Sequence, residues 1–160
     1  MRFRQLMVGT AALGLVACGA RDLTTTERSV EQGRVQARFE QWTQQVNNRD
    51  LDSMATMYNP SPDLIVAWSD GFRTTGLEDH LTRTDDFYNA IQFMNMVPQN
   101  PVHQVLSASV ATTSFRYSID MVLNDTSRDP YSGQANLIWV KDPADQQWRI
   151  HNQMFSRNER

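Results

Sequence analysis

Hydrophobic residues recur every third or fourth position between Val35 and Val46, and every second position between Phe115 and Leu123. These two periods divide the chain. Val35, Phe39, Trp42 and Val46 share one helical face while Glu, Gln and Arg fill the other, which predicts a first helix over residues 27–47. Asn47-Asn48-Arg49 breaks that pattern, and Asp50 is suited to cap a short second helix over residues 51–58, stopped by Pro60 and Pro62. Residues 63–68 read as a strand, Ser69-Asp70-Gly71 as a turn, and residues 72–75 as a returning strand. A third helix is expected over residues 77–91, with Leu77, Leu81, Phe87 and Ile91 as its apolar face. The stretch 92–97 fits either the end of that helix or a strand.

The last third reads as sheet. Residues 102–110 form one strand, and in the next, 112–123, Phe115, Tyr117, Ile119, Met121 and Leu123 face one way and Arg116, Ser118 and Asp120 the other. A polar loop over 124–133 leads to strands at 134–141 and 147–156, joined by the turn Asp142-Pro143-Ala144-Asp145. Helices first and antiparallel strands after them predict an α+β domain with its helices on one face of a curved sheet.

The amino-terminal residues follow neither period. Arg2 and Arg4 form a basic head, and residues 6–17 are apolar or small without a charge. That run is too short for a membrane span, which needs roughly 20 apolar residues. It has the parts of an export signal. Its end, Leu15-Val16-Ala17-Cys18, resembles the lipobox of bacterial lipoproteins, and Cys18 is the only cysteine in the chain. The resemblance implies cleavage before Cys18, acylation of that residue, and a short tether over 18–26 leading to one domain over 27–160. Two or three acyl chains on one residue anchor far more firmly than a single chain does. Gly19 and Ala20 follow the cysteine, which in that family accompanies delivery to the periplasmic face of the outer membrane.

Composition narrows the function classes. The 15 basic and 18 acidic side chains become 13 and 18 without the signal, a formal charge of −5. With no basic cluster, nucleic acid is not an expected partner. The mature part has no second cysteine for a disulfide. His80, His103 and His151 lie far apart and show no ligand spacing, so no metal or other cofactor is expected.

The order of elements also carries a resemblance. A long helix, a short one opened by Arg49-Asp50-Leu51, Met57-Tyr58, a strand, Asp70-Gly71 with Gly76, a third helix and a meander resemble the nuclear transport factor 2-like superfamily. The nearest subset is the SnoaL-like and ketosteroid-isomerase-like domains. The closing Leu137-Ile138-Trp139-Val140-Lys141-Asp142, then Trp148-Arg149-Ile150-His151 and Ser156, is similar to its last hairpin. The resemblance implies a cone-shaped sheet around an apolar pocket, with dimers through the outer sheet face in many members. On that pattern the isomerase positions fall near Trp42, near Trp68 and near Leu137 or Ile138, none an acid or a base. Asp70 is the nearest carboxylate to the second of these. The catalytic residues are therefore unknown. Tyr58, Trp68 and Met154 are the pocket candidates, and His151 is expected on the face opposite Met154. The expected role is to bind an apolar small molecule or to serve as an interaction or dimerisation module. The alternative is an isomerase, cyclase or dehydratase.

Overall fold

The computed structural model describes residues 22–158. The expected signal segment and the expected acylation site at Cys18 lie outside the described residues. Helix α1 spans Thr25–Asn48. It begins two residues before the expected start because Thr24 caps it: the Thr24 hydroxyl accepts from the Glu27 amide, and the Glu27 carboxylate accepts from the Thr24 amide. Val35, Phe39 and Trp42 are buried along its inner face. Arg49 ends the helix in the left-handed conformation with φ 56°. Helix α2, Leu51–Ala55, is capped by the Asp50 carboxylate, which accepts from the Ser53 amide.

Strands β1 (Ile65–Ala67) and β2 (Arg73–Thr75) pair around a turn in which Gly71 takes φ +87°. Helix α3 spans Leu77–Asn89. The ambiguous stretch after it is strand. β3 runs Ile91–Val105, straight through Pro98 and Pro101, and turns at residues 106–109 into β4, Val110–Leu123. Residues 102–105 thus close β3 rather than opening a strand of their own. β5 (Tyr131–Lys141) and β6 (Trp148–Arg157) complete one mixed sheet in the order β2-β1-β6-β5-β4-β3. Only the β1–β6 pair is parallel. β3 lies at the sheet edge, where proline does not remove a needed ladder donor. Its register shifts between Gln99 and Val102, around Asn100 at φ 49°.

The core lies between α1, α3 and the inner sheet face. Ala111, Thr113, Phe115, Tyr117, Ile119 and Met121 alternate inward along β4, as the period-two pattern requires. Thr113 is fully buried and its hydroxyl is shared by Trp139 Nε1 at 2.8 Å and His103 Nδ1 at 2.9 Å. Across the first helix, Lys141 Nζ meets Glu31 Oε2 at 2.6 Å, and Trp148 Nε1 donates to the same oxygen at 2.9 Å. Tyr117 stands opposite Gly133 on β5. Its ring crosses the bare glycine, and its hydroxyl donates to the Ser156 carbonyl of β6 at 3.0 Å.

Candidate functional site

The open end of this arrangement holds a cavity of about 210 Å³. Its walls are soft and apolar: Met54, Met94, Met96 and Met121 line it, with Phe87 and Ile119. Methionine side chains are flexible and polarisable, so such a wall adapts to the shape of a guest.

Two polar features interrupt the grease. One is a chain of hydrogen bonds across three elements. Trp42 Nε1 on α1 donates to the Tyr58 hydroxyl at 3.0 Å, and that hydroxyl donates to Gln153 Oε1 on β6 at 2.8 Å. Burial raises the Tyr58 hydroxyl pKa far above its ordinary value, so it stays protonated and acts only through hydrogen bonds. The other feature is His80. It sits on α3, 1% exposed, with its ring 4.4 Å from the Tyr58 ring and 5.7 Å from the Trp68 ring. Neither ring nitrogen has a hydrogen-bond partner. Burial pushes its pKa down to about 4, against the pull of the Asp79 charge, so the imidazole is neutral at pH 7. Thr84, one turn on, returns its hydroxyl to the His80 carbonyl at 2.8 Å. That bond satisfies the hydroxyl within the helix.

Ion pairs frame the mouth. Arg83 Nη2 meets Asp70 Oδ2 at 2.8 Å, and the guanidinium lies over Phe72, 4.7 Å from its ring centre. On the other side Arg157 Nη2 meets Asp129 Oδ1 at 2.8 Å and lies 4.2 Å over Tyr131. Both carboxylates that line the cavity are thus at its rim and paired; its depth has one neutral imidazole, an amide and phenols. Among the described residues no three His, Cys, Asp or Glu side chains are grouped to hold a metal. No helix among them is long and apolar enough to cross a membrane.

No protein-family model matches the sequence, and no characterised protein matches it by sequence. Solved structures do match by shape. A nuclear transport factor 2-like superfamily protein from Salmonella enterica superposes with a TM-score of 0.75 at 15% identity, over 82% of this chain and 94% of the other. The chain has the nuclear transport factor 2-like fold. A hexachlorocyclohexane dehydrochlorinase shares the cone with a TM-score of 0.74 at 12% identity, over 85% of this chain and 90% of the other. A candidate scytalone dehydratase from Novosphingobium aromaticivorans gives 0.73 at 14% identity, over 85% and 89%.

Within the cone, Tyr58 and Trp68 line the cavity, and Trp42 stands beside them. Met154 does not line it. Expected in the pocket, it lies on the outer face, 54% exposed. The reason is one extra residue. Trp139 pairs with Ile150 but Ile138 pairs with Asn152, so β6 bulges at His151. A bulge reverses the parity of every later side chain. Trp148 and Ile150 face inward before it; after it Gln153 and Phe155 line the cavity and Met154 turns out. His151 sits in the bulge, its Nδ1 3.2 Å from Asn59 Nδ2.

His80 is the site residue that the apolar pattern misses. The inward face of α3 is His80, Thr84 and Tyr88, not Leu77 and Leu81, which are only half-buried. Their i, i+4, i+8 spacing was a readable signal, but two of the three are polar and leave no hydrophobic period. Leu137, near the third isomerase position, is buried in the core.

Proposed function

We propose that this domain holds a small, mainly apolar molecule in its cone, and that it does so beside a membrane to which acylated Cys18 ties it. The observation that supports the holding role is the cavity itself: a pocket of about 210 Å³ walled by methionine and aromatic side chains, with few polar groups. Its depth has no carboxylate to partner an acid or base step. The lipobox and the signal pattern before it support the anchor. A second reading is favoured by one observation. His80 is a neutral imidazole inside the cavity, which is the protonation state a base requires. Neighbours of the same fold are called a dehydratase and a dehydrochlorinase. On this reading His80 takes a proton from carbon as the C–O or C–Cl bond on the adjacent carbon breaks, the carbon–carbon double bond forms, and the departing hydroxide or chloride leaves with that proton as water or hydrogen chloride.

Native mass spectrometry of the protein as it is extracted from membranes in mild detergent tests these readings together. The expected result is an acylated terminus at Cys18 and one small-molecule adduct. The Cys18→Ser variant is expected to move from the membrane fraction to a soluble or retained precursor form, and unchanged membrane partition would remove the anchor. Trp68→Ala, which opens the cavity wall, is expected to lower adduct occupancy at least about tenfold while the fold persists. Full occupancy in that variant would make Trp68 mere core, and no adduct on the native chain would end the holding role. A molecule released lighter by water or hydrogen chloride would favour the catalytic reading.

A further inference from the structure

Five buried side-chain nitrogen or oxygen atoms among the described residues have no hydrogen-bond partner, and four belong to three residues of this one cavity. They are both ring nitrogens of His80, Nε1 of Trp68 and Nε of Arg83. Folded proteins pair the great majority of their buried polar atoms, so an orphan needs a reason, and a cluster of orphans needs one shared reason. These three residues are neighbours. The Trp68 and His80 ring centres are 5.7 Å apart, and the Arg83 guanidinium carbon is 5.8 Å from the Trp68 ring centre.

The chemistry of the orphans is lopsided. An indole N–H and a guanidinium N–H only donate, and a neutral imidazole adds one donor and one acceptor. A group rich in lone pairs fits them, and a guanidinium among the donors favours a negative one. Arg83 keeps this capacity although it is already in an ion pair, because Asp70 engages Nη2 and leaves Nε unused. The Asp70 side chain is 55% exposed, so solvent screens its repulsion of a second anion. Trp68 and Arg83 are only partly buried, so their side chains reach the mouth while these two nitrogens are covered within it.

Size sets the remainder of the molecule. A cavity of roughly 150 Å³ lined by apolar side chains takes up benzene. The cavity here, about 210 Å³, suits one ring with a small substituent.

Resting on the holding role proposed above, we infer that the guest is a small one-ring carboxylic acid, bound as its carboxylate. The head lies toward Trp68, His80 and Arg83, and the ring lies among Met54, Met94 and Met121. Isothermal titration of the full chain with four one-ring probes tests this: benzoate, its neutral isostere nitrobenzene, apolar cumene and cationic benzylamine. Benzoate is expected to bind at least about tenfold more tightly than any of the others. Trp68→Phe, which keeps a ring and loses the N–H, and Arg83→Gln are each expected to bring benzoate down to the level of cumene measured in the same variant. Nitrobenzene or cumene binding as tightly as benzoate overturns the carboxylate and leaves the holding role intact. So does benzylamine binding more tightly than benzoate. Failure of all four probes at millimolar concentration overturns the carboxylate and the holding role together.

Discussion

Replacing Gly133 with alanine is expected to destabilise the fold by about 3 kcal/mol or more, read as a lowered urea midpoint at unchanged slope. The backbone at Gly133 is ordinary extended strand, so conformational freedom is not the reason. Space is. A Cβ there would stand 1.8 Å from the Ser156 carbonyl oxygen and 2.7 Å from the Tyr117 hydroxyl. The first of these is backbone of the neighbouring strand and yields only if the β5–β6 ladder shifts. The second belongs to a ring held edge-on by Tyr131 at 6.1 Å and Phe155 at 5.2 Å, so it has little room to swing away. Tyr117→Ala in the same chain should therefore recover only part of the loss, since the carbonyl contact remains. A Gly133→Ala protein with the native midpoint would show that the strands separate more easily than this packing allows.

His80→Met is expected to do the opposite at neutral pH and to remove one source of acid sensitivity. Burial holds the native imidazole pKa at about 4, against about 6.5 in an unfolded chain. The folded state therefore binds fewer protons than the unfolded one between those values. This stability is fully present above pH 6.5 and is lost as pH falls toward 4, by roughly 3 kcal/mol in all. His103, whose pKa is also lowered by burial, adds a smaller slope of the same sign. Methionine at position 80 abolishes the steeper of these two dependences. It also replaces two unpaired buried nitrogens with an apolar chain of similar size, which should add about 1 kcal/mol at pH 7. Denaturant midpoints of both proteins across pH 4 to 7 check each part. The same variant is expected to bind the cavity ligand less well, because stability and binding are opposed at a site that keeps unpaired groups for its guest. A variant that is neither more stable at pH 7 nor flatter toward acid would show that His80 is satisfied in the native protein.

The elements of the fold were legible where one period dominated. The Val35-Phe39-Trp42 stripe and the Phe115-to-Met121 alternation each mark a surface that is half core and half solvent, and both lie where the periodicity put them. β3 was legible only in pieces: residues 92–97 fitted either helix or strand, and residues 102–105 read as part of a separate strand. Its prolines read as breakers, yet a strand with one free side tolerates them. The site was legible only in part. Tyr58 and Trp68 stand at element ends beside the cavity, and position along the chain was enough to single them out. Met154 was misplaced by the bulge at His151, which exists only in the pairing of β5 with β6 and leaves no local trace. His80 was hidden for the converse reason. A cavity wall that needs a polar group interrupts the greasy stripe that marks the inward side of a helix.

The two rims of the sheet have a consequence for how copies of the chain behave when crowded. One rim is a pair of three-residue strands, and the other is broken by Pro98, Pro101 and the irregularity between them. Neither offers an uninterrupted row of main-chain donors and acceptors for a neighbouring molecule to extend. Runaway fibre growth is thereby discouraged at both margins. Phe93, Ile138 and Met154 are exposed, but single apolar side chains supply no such row of main-chain partners.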